Sequence, residues 1–232
     1  MNAPRTARQR ARAELTAEIL AAARRQLGED GPSGLSLRSV ARELGMASSA
    51  VYRYFASRDD LLTALIVQSY NEIGDAAERA DRPGDQPEER WMAVWRAVRK
   101  WSLAHRHEYA LIFGTPVPGY VAPHITVEVA GRMPLTLARI VADAGRSGNL
   151  APTPGPVCPP EAITPEMLQL LDGVTFTPDE TARLIFAWNR LVGIIGYELH
   201  GHLANVTADD ALFFDHTART EGAYIGLDFG AA

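Results

Sequence analysis

Hydrophobic residues recur every three or four positions along most of the chain, which is the spacing of one face of an α-helix. The first stripe consists of Leu15, Ile19, Ala22, Ala23 and Leu27. Similar stripes continue to the C-terminal end, and no segment of the sequence keeps the strict alternation of a β-strand. The pattern therefore predicts an all-α protein.

Two short helices are predicted after the first one, with a glycine turn between them. Ser36 precedes an apolar stripe over 37–44, and a serine hydroxyl at that place caps a helix. Gly45 follows the stripe, and the next helix is expected over 48–55. A helix, a short turn that contains glycine and a second helix form the arrangement of a helix-turn-helix.

Polar and proline-rich segments divide the chain into three regions. Residues 1–58 hold a polar arm over 1–12 and the helix-turn-helix domain, and 59–82 form a connecting helix that Ser57 caps. The remaining 83–232 form a larger helical domain. Within it Thr177-Pro178-Asp179-Glu180 has the sequence of a strong helix start, with a capping threonine, a proline and a glutamate in the expected order.

Charge is distributed unevenly between these regions. The 232 residues carry a formal net charge of −5. Residues 1–58, however, contain 10 arginines and 5 acidic residues, net +5, while the rest carries net −10. A basic N-terminal region on an acidic body favours a nucleic-acid-binding module, although a solvated basic helix face would look the same.

Composition excludes several other classes of protein. No run of apolar residues reaches the roughly 20 that a membrane helix needs, and no apolar segment of a secretory signal follows the basic start. Cys158 is the only cysteine, so no intrachain disulfide can form. We therefore expect a cytoplasmic protein without membrane partners.

The second helix of a helix-turn-helix lies in the major groove of DNA, where base edges can be read. Small residues at its start allow close approach, hydroxyl groups reach phosphates, and arginines on the flanking helices clamp the backbone. The predicted DNA-binding residues are Ser36, Arg38, Ser48, Ser49, Tyr52, Arg53, Tyr54 and Arg58. The alternative is an ordinary three-helix bundle with half-packed tyrosines.

The same region carries a family resemblance. The matching positions are Ile19-Leu20-x-Ala22-Ala23, Gly31, Leu35-Ser36-x-Arg38-x-Val40-Ala41, Leu44-Gly45-Met46 and Ala50-Val51-Tyr52-x-Tyr54-Phe55-x-Ser57-Arg58-x-x-Leu61-Leu62. Residues 15–65 thus resemble the DNA-binding domain of the tetracycline-repressor (TetR) family, which implies binding to double-stranded DNA. Tyr54 replaces a frequent histidine of that family and Arg58 a frequent lysine, and the resemblance implies that both side chains can still contact phosphate.

The C-terminal region resembles the Trp/His/Gly-type C-terminal domains of some members of that family. The resemblance rests on Phe186–Gly193, Tyr197–His202 and Phe213–His216. It implies a homodimer through helices at about 178–203 and 207–225, and a pocket for a small molecule. Independently, glycines at 193, 196 and 201 within an apolar helix favour close packing of another helix, with intrachain packing as the alternative.

Aromatic residues are the candidates for the lining of that pocket. An aromatic stripe at helical spacing serves the core more often than it serves a ligand, and it is the family resemblance that implies a cavity. The predicted effector-binding residues are Trp95, Tyr109, Phe113 and Trp188. Their chemistry suits a small apolar or aromatic effector.

Other kinds of chemistry are not supported by the sequence. His105-x-His107 and His200-x-His202 have two-residue spacing, which on a helix points the rings about 200° apart, so we expect no metal site. No nucleotide-binding or hydrolase motif occurs, and we expect no cofactor and no catalytic residues. Cys158 is a weak candidate for a redox switch, because it has no second thiol to resolve with.

These observations predict a homodimeric, ligand-responsive transcriptional regulator, with repression from a palindromic operator as the favoured mode. Two alternatives stay within regulation, namely an activator and a regulator without an effector. The alternative from another class is an all-α enzyme or small-molecule carrier whose N-terminal bundle is only structural.

Overall fold

The structure is a computed structural model, and it describes residues 6–153, 155–165, 167 and 176–230. Within these ranges the regular structure is helical, and the β-type pairing consists of one isolated bridge between Leu150 and Leu227. The helices are α1 (Ala7–Gly34), α2 (Leu37–Glu43), α3 (Ser48–Val51), α4 (Arg58–Ala80), α5 (Pro87–Ala104), α6 (Arg106–Phe113), α7 (Ile125–Ala130), α8 (Arg132–Arg146), a 3-10 turn (Pro160–Ala162), α9 (Pro178–Leu199) and α10 (Asp210–Ile225). The predicted all-α class is confirmed.

Helix α1 begins earlier than predicted. The Thr6 hydroxyl accepts a hydrogen bond from the Gln9 backbone N–H at 3.2 Å, and the Gln9 side chain accepts one from the Thr6 N–H at 2.8 Å. This reciprocal capping box satisfies two backbone donors and starts a helix in the segment predicted to be an arm. Residues 1–5 of that arm lie outside the described residues. Near its other end, α1 leaves helical geometry at Gly31, whose φ is +68°.

The helix-turn-helix is present, with a shorter second helix than predicted. Gly45 adopts a φ of +65° in the turn, a conformation that side chains with a Cβ rarely adopt. Regular α-helix in α3 ends at Val51, and hydrogen-bonded turns continue the chain to Phe55. Ser36 occupies the N-cap position of α2 but makes no side-chain capping bond there.

The described residues form two compact units. We call those of Met1–Tyr70 and His105–Val129 the N-terminal unit, and those of Asn71–Ala104 and Ala130–Ala232 the C-terminal unit. The sequence placed its divisions at 58 and 82 instead. The difference arises because Leu111 of α6 is buried in the N-terminal core and the segment after α6 packs on the same core.

In the N-terminal unit, hydrogen bonds fix the α6 region on α4. The Tyr70 hydroxyl donates to the Ile112 carbonyl at 3.0 Å, and the hydroxyls of Thr63 and Tyr120 lie 2.9 Å apart. These residues are distant in sequence, so only the fold brings them together.

In the C-terminal unit, arginines join helices to one another. Arg132, at the start of α8, donates to Glu78 and Asp75 of α4 at 2.5–3.0 Å, and these partners raise the pKa of its guanidinium. Buried Arg90 of α5 donates to Asp81 at 2.6 and 3.1 Å and to Asp143 of α8 at 2.9 Å. Both ends of α8 are therefore held by ion pairs.

Helices α9 and α10 begin with side-chain caps. Thr177 and Glu180 form the predicted capping box of α9, and Asp209 accepts from the backbone N–H groups of Ala211 and Leu212 in α10. Gly201, which we expected inside a helix, lies in the turn after α9 with a φ of +74°. The left-handed backbone at Gly201 explains why the helix does not continue to 203.

Candidate nucleic-acid interface and helical effector unit

The N-terminal core fixes the helix-turn-helix from within. Val40 and Ala41 of α2 and Val51 of α3 are fully buried in one cluster with Ile19 of α1 and Leu61 of α4. Burial of such side chains contributes about 1.5–3 kcal/mol each for the larger ones. Because these apolar side chains point into the core, the opposite face of α3 is exposed to solvent.

The predicted DNA-binding residues lie at the start of α2, on α3, in the turns that follow α3 and at the start of α4, and four of them are exposed. Arg38, Ser49, Tyr52 and Arg53 are exposed, with Tyr52 at 45%. Three further predicted residues are half-buried, namely Ser36, Ser48 and Tyr54. The structure thus places four of the predicted side chains where a double helix can reach them, and their contact with DNA stays a prediction.

Arg58 has partners within the protein. Its guanidinium donates to the backbone carbonyls of Pro32 at 2.7 Å and Leu35 at 3.2 Å. It therefore ties the start of α4 to the connection between α1 and α2. These contacts give Arg58 a positioning role, and its contact with a DNA phosphate stays a prediction.

The structure also shows a contact that the sequence did not reveal. The Arg12 guanidinium of α1 lies over the ring of Tyr54, 5.1 Å from its centroid. The distance is that of a cation–π interaction. The sequence shows two arginines one helical turn apart, at positions 8 and 12. Nothing in it indicates that Arg12 contacts Tyr54.

An apolar groove follows α9 and α10 in the C-terminal unit. Its volume is about 740 Å³, and its lining includes Phe186, Gly193, Tyr197 and Phe213. Phe186 is 54% exposed and Tyr197 59% exposed. Aromatic side chains so exposed, and grouped on two neighbouring helices, are typical of an interaction surface.

Comparison with known proteins assigns the family. The model of the tetR family of bacterial regulatory proteins matches residues 19–65, and that of the tetracyclin repressor-like C-terminal domain matches residues 91–220. The HTH-type transcriptional regulator Rv1816 of Mycobacterium tuberculosis is 36% identical over 218 residues, which cover 91% of this chain and 92% of that protein. The chain belongs to the tetR family.

Solved structures agree with this tetR-family assignment. The crystal structure of SCO4313 has a TM-score of 0.73 and 31% identity, and the match covers 94% of this chain and 98% of that one. A protein of unknown function from Rhodococcus sp. RHA1 has a TM-score of 0.67 and 25% identity, with 91% and 93% covered. As a member of this family, the chain is a transcriptional regulator and not an enzyme, as predicted.

The four predicted effector-binding residues of this tetR-family protein fall into both units. Tyr109 is buried in the N-terminal unit, where its ring centroid lies 5.1 Å from that of Phe113. Trp95 and Trp188 belong to the C-terminal unit. The four residues therefore do not form a single cluster within either unit. Their common role in effector binding stays a prediction.

Trp95 and Trp188 share an unusual property. Trp95 is fully buried between Trp91 and Phe214, with ring centroids 5.6 and 5.7 Å away. The indole N–H groups of Trp95 and Trp188 are buried and meet no acceptor among the described residues. A buried donor without an acceptor costs about 1–3 kcal/mol, so each of these two N–H groups is a candidate for ligand recognition.

Ion pairs connect α5 to the two helices that line the groove. Arg99 donates to Glu198 of α9 at 2.6 and 2.8 Å, and Arg96 donates to Asp215 of α10 at 2.6 and 3.0 Å. The bond from Arg96 holds the pKa of Asp215 below its usual range. These pairs position α9 and α10 as one surface.

Other candidate chemistry remains limited in this structure. No group of three or more His, Cys, Asp or Glu residues suitable for a metal occurs in the part of the chain that the structure describes. Cys158 is half-buried, and its backbone N–H donates to Asp179 at 2.9 Å, which ties its loop to α9. No described helix is both long and apolar enough to cross a membrane.

Proposed function

We propose that this transcriptional regulator is a homodimeric, ligand-responsive repressor that acts in the cytoplasm on a palindromic operator. The observation that carries the proposal is the presence of two exposed surfaces of opposite chemistry. One is the polar outer face of α3, and the other is the apolar groove of α9 and α10. A polar face suits DNA, and an apolar face suits another protein surface.

The polar face supplies both kinds of contact that DNA recognition needs. Arg38 and Tyr52 reach phosphates, which provide affinity that falls with salt. Ser49 within α3 and Arg53 in the turn that follows it are both exposed, so they can meet base edges. The proposal assigns phosphate contacts to the first pair and base or register contacts to the second.

The apolar groove supports the homodimer. Phe186, Tyr197 and Phe213 lose exposed apolar surface when the same groove of a second copy covers them, and a two-fold contact is self-complementary. Gly193 lies in the groove, and a Cβ added there would meet no atom within 4 Å. A partner helix can therefore approach closely at this position.

The buried indole donors support an effector with a hydrogen-bond acceptor. Trp95 and Trp188 provide aromatic surface and an N–H each, so the ligand class is an aromatic or apolar molecule that also carries carbonyl, ether or carboxylate oxygen. Such an effector acts only through different affinities for the DNA-bound and released states. The protein leaves the DNA if the effector binds more tightly to a dimer whose recognition helices do not match the spacing of the operator half-sites.

Fluorescence anisotropy on DNA tests the proposal. The purified protein is titrated onto labelled duplexes from its own upstream intergenic region and onto scrambled duplexes, at several salt concentrations. We expect sequence-selective binding that weakens steeply with salt. If none of the upstream duplexes is preferred, selection from a random duplex library replaces them as the source of DNA.

The variant Arg38→Ala with Tyr52→Ala is expected to lose at least 100-fold in affinity, while its helicity and dimer stay intact. Arg139→Ala is the charge-matched control, because Arg139 is an exposed arginine of α8. The site assignment is wrong if the double variant binds as the parent does.

A further inference from the structure

We propose that the first two turns of α1 form a second DNA-contacting surface, in which Arg8 and Arg12 bind the phosphate backbone beside the recognition helix. The inference rests on the proposed DNA-binding function and adds to it a surface outside the helix-turn-helix. Its partner is double-stranded DNA.

The first observation is that this basic segment is an ordered helix. The capping box of Thr6 and Gln9 starts α1 at Ala7. Residues 6–13 contain three arginines and no acidic residue, and all of them are exposed. A regular helix fixes the relative positions of these charges, which a flexible arm would not do.

The second observation places this helix next to the recognition helix. The Arg12 guanidinium lies over the Tyr54 ring, 5.1 Å from its centroid, and Tyr54 directly follows the exposed pair Tyr52 and Arg53. Tyr54 itself packs against the N-terminal core. The second turn of α1 is thereby held beside the turns that follow α3, where Tyr52 and Arg53 are exposed.

Helical geometry then separates the three arginines into two faces. Positions 8 and 12 differ by about 40° around the helix axis, whereas position 10 is about 200° from each of them. Arg8 therefore shares the face of Arg12, about 6 Å further along the axis. Arg10 points away from the Tyr54 side.

The chemistry of the Arg12 contact suits a phosphate. A guanidinium over an aromatic ring keeps N–H donors for phosphate oxygens, because the ring offers them no oxygen acceptor. The contact with Tyr54 also restricts the side chain before DNA arrives, which lowers the entropy lost on binding. Arg8 adds a second charge within reach of the same strand.

The experiment compares Arg8→Ala with Arg10→Ala in the full chain. Both variants remove one exposed arginine from the same helix, and only one of them changes the proposed face. The probe is the duplex recovered from a random-sequence library by selection on the unmodified protein. Affinity is measured by anisotropy between 50 and 200 mM salt, and circular dichroism checks the helix content of each variant.

Loss of one phosphate contact per protomer lowers the salt slope by about 0.9, hence by about 1.8 for the dimer. We expect this decrease for Arg8→Ala and for Arg12→Ala, and an unchanged slope for Arg10→Ala. Across that fourfold range of salt the unmodified protein then loses about tenfold more affinity than Arg8→Ala does.

Equal changes in the Arg8 and Arg10 variants would overturn the inference, because general charge and not one face would then attract the DNA. Unchanged slopes in both variants would also overturn it and leave the helix-turn-helix as the contact surface. Failure of the unmodified protein to enrich any duplex would instead refute the proposed DNA-binding function itself.

Discussion

The two units of this protein distribute polarity in opposite ways. The N-terminal unit has an apolar core and exposes arginines and hydroxyl groups around α3. The C-terminal unit exposes aromatic side chains along α9 and α10, and it contains the fully or nearly buried charges of the described chain, namely Arg90, Arg183 and Glu221.

The proposed function explains this difference by the partner that each unit would meet. A polyanion is bound by charges that stay in water until contact, so the N-terminal unit needs an ordinary core to support them. A second protein surface is bound through apolar area removed from water. The exposed groove concerns binding to a partner, whereas the internal polar contacts concern the stability of the C-terminal unit. Each is tested by its own variants.

Filling the apolar groove gives the largest expected effect. Gly193→Trp places an indole where the single chain has open space, so the isolated protomer should tolerate it and gain helix propensity. The partner helix should not tolerate it, because overpacking an interface is unfavourable. We expect the dimer dissociation constant to rise at least 100-fold in sedimentation analysis, with a parallel loss of DNA affinity.

Arg139→Trp controls for the added indole, since it changes an exposed position on α8 that does not line the groove. An unchanged dimer in Gly193→Trp would show that another surface joins the protomers. The exposed groove would then bind a different partner. Dimerisation would no longer explain why the C-terminal unit exposes aromatic side chains.

Two neighbouring tryptophans test the buried polar contacts. Trp91 and Trp95 are both fully buried, but the Trp91 indole N–H donates to the Ala218 carbonyl at 2.8 Å and that of Trp95 meets no acceptor among the described residues. Substitution by phenylalanine removes the same atoms from each. Trp91→Phe should lower the free energy of unfolding by about 1–3 kcal/mol more than Trp95→Phe does.

Chemical denaturation at one fixed protein concentration measures this difference. Equal losses for the two variants would mean that packing, and not the hydrogen bond, decides the stability of this aromatic group. Greater loss for Trp95→Phe would contradict the assignment of its N–H as a donor held for a ligand.

Local features of this fold could be read from the sequence, because they depend on neighbouring residues. Ser57 accepts from the Asp60 backbone N–H at 3.0 Å, as its spacing predicted, and Thr177 and Glu180 form the expected capping box. The exposure of Tyr52 and Arg53 followed from the helical spacing of Val51 and Phe55. The capping signature of Thr6 and Gln9 was also present, and the polar composition of the segment obscured it.

Long-range contacts could not be predicted in the same way. The placement of α6 in the N-terminal unit depends on the burial of Leu111 against residues more than 40 positions away. The same is true of Arg58, whose acceptors are backbone carbonyls of Pro32 and Leu35. Backbone carbonyls have no sequence signature, so these internal contacts of Arg58 could not be inferred beside its predicted contact with phosphate.

The smallest expected effect concerns the buried carboxyl of the C-terminal unit. Burial raises the pKa of Glu221 above its ordinary value of 4.5, against a lowering contribution from Arg190, whose Nε lies 3.2 Å from it. The folded state therefore holds the proton more tightly than the unfolded state, and this group's contribution to stability decreases as the pH rises through that interval. Glu221→Gln removes the titration, so its free energy of unfolding should rise relative to the parent between acidic and neutral pH. Parallel pH profiles of the two proteins would show that the mostly exposed Arg190 compensates fully for burial of the charge.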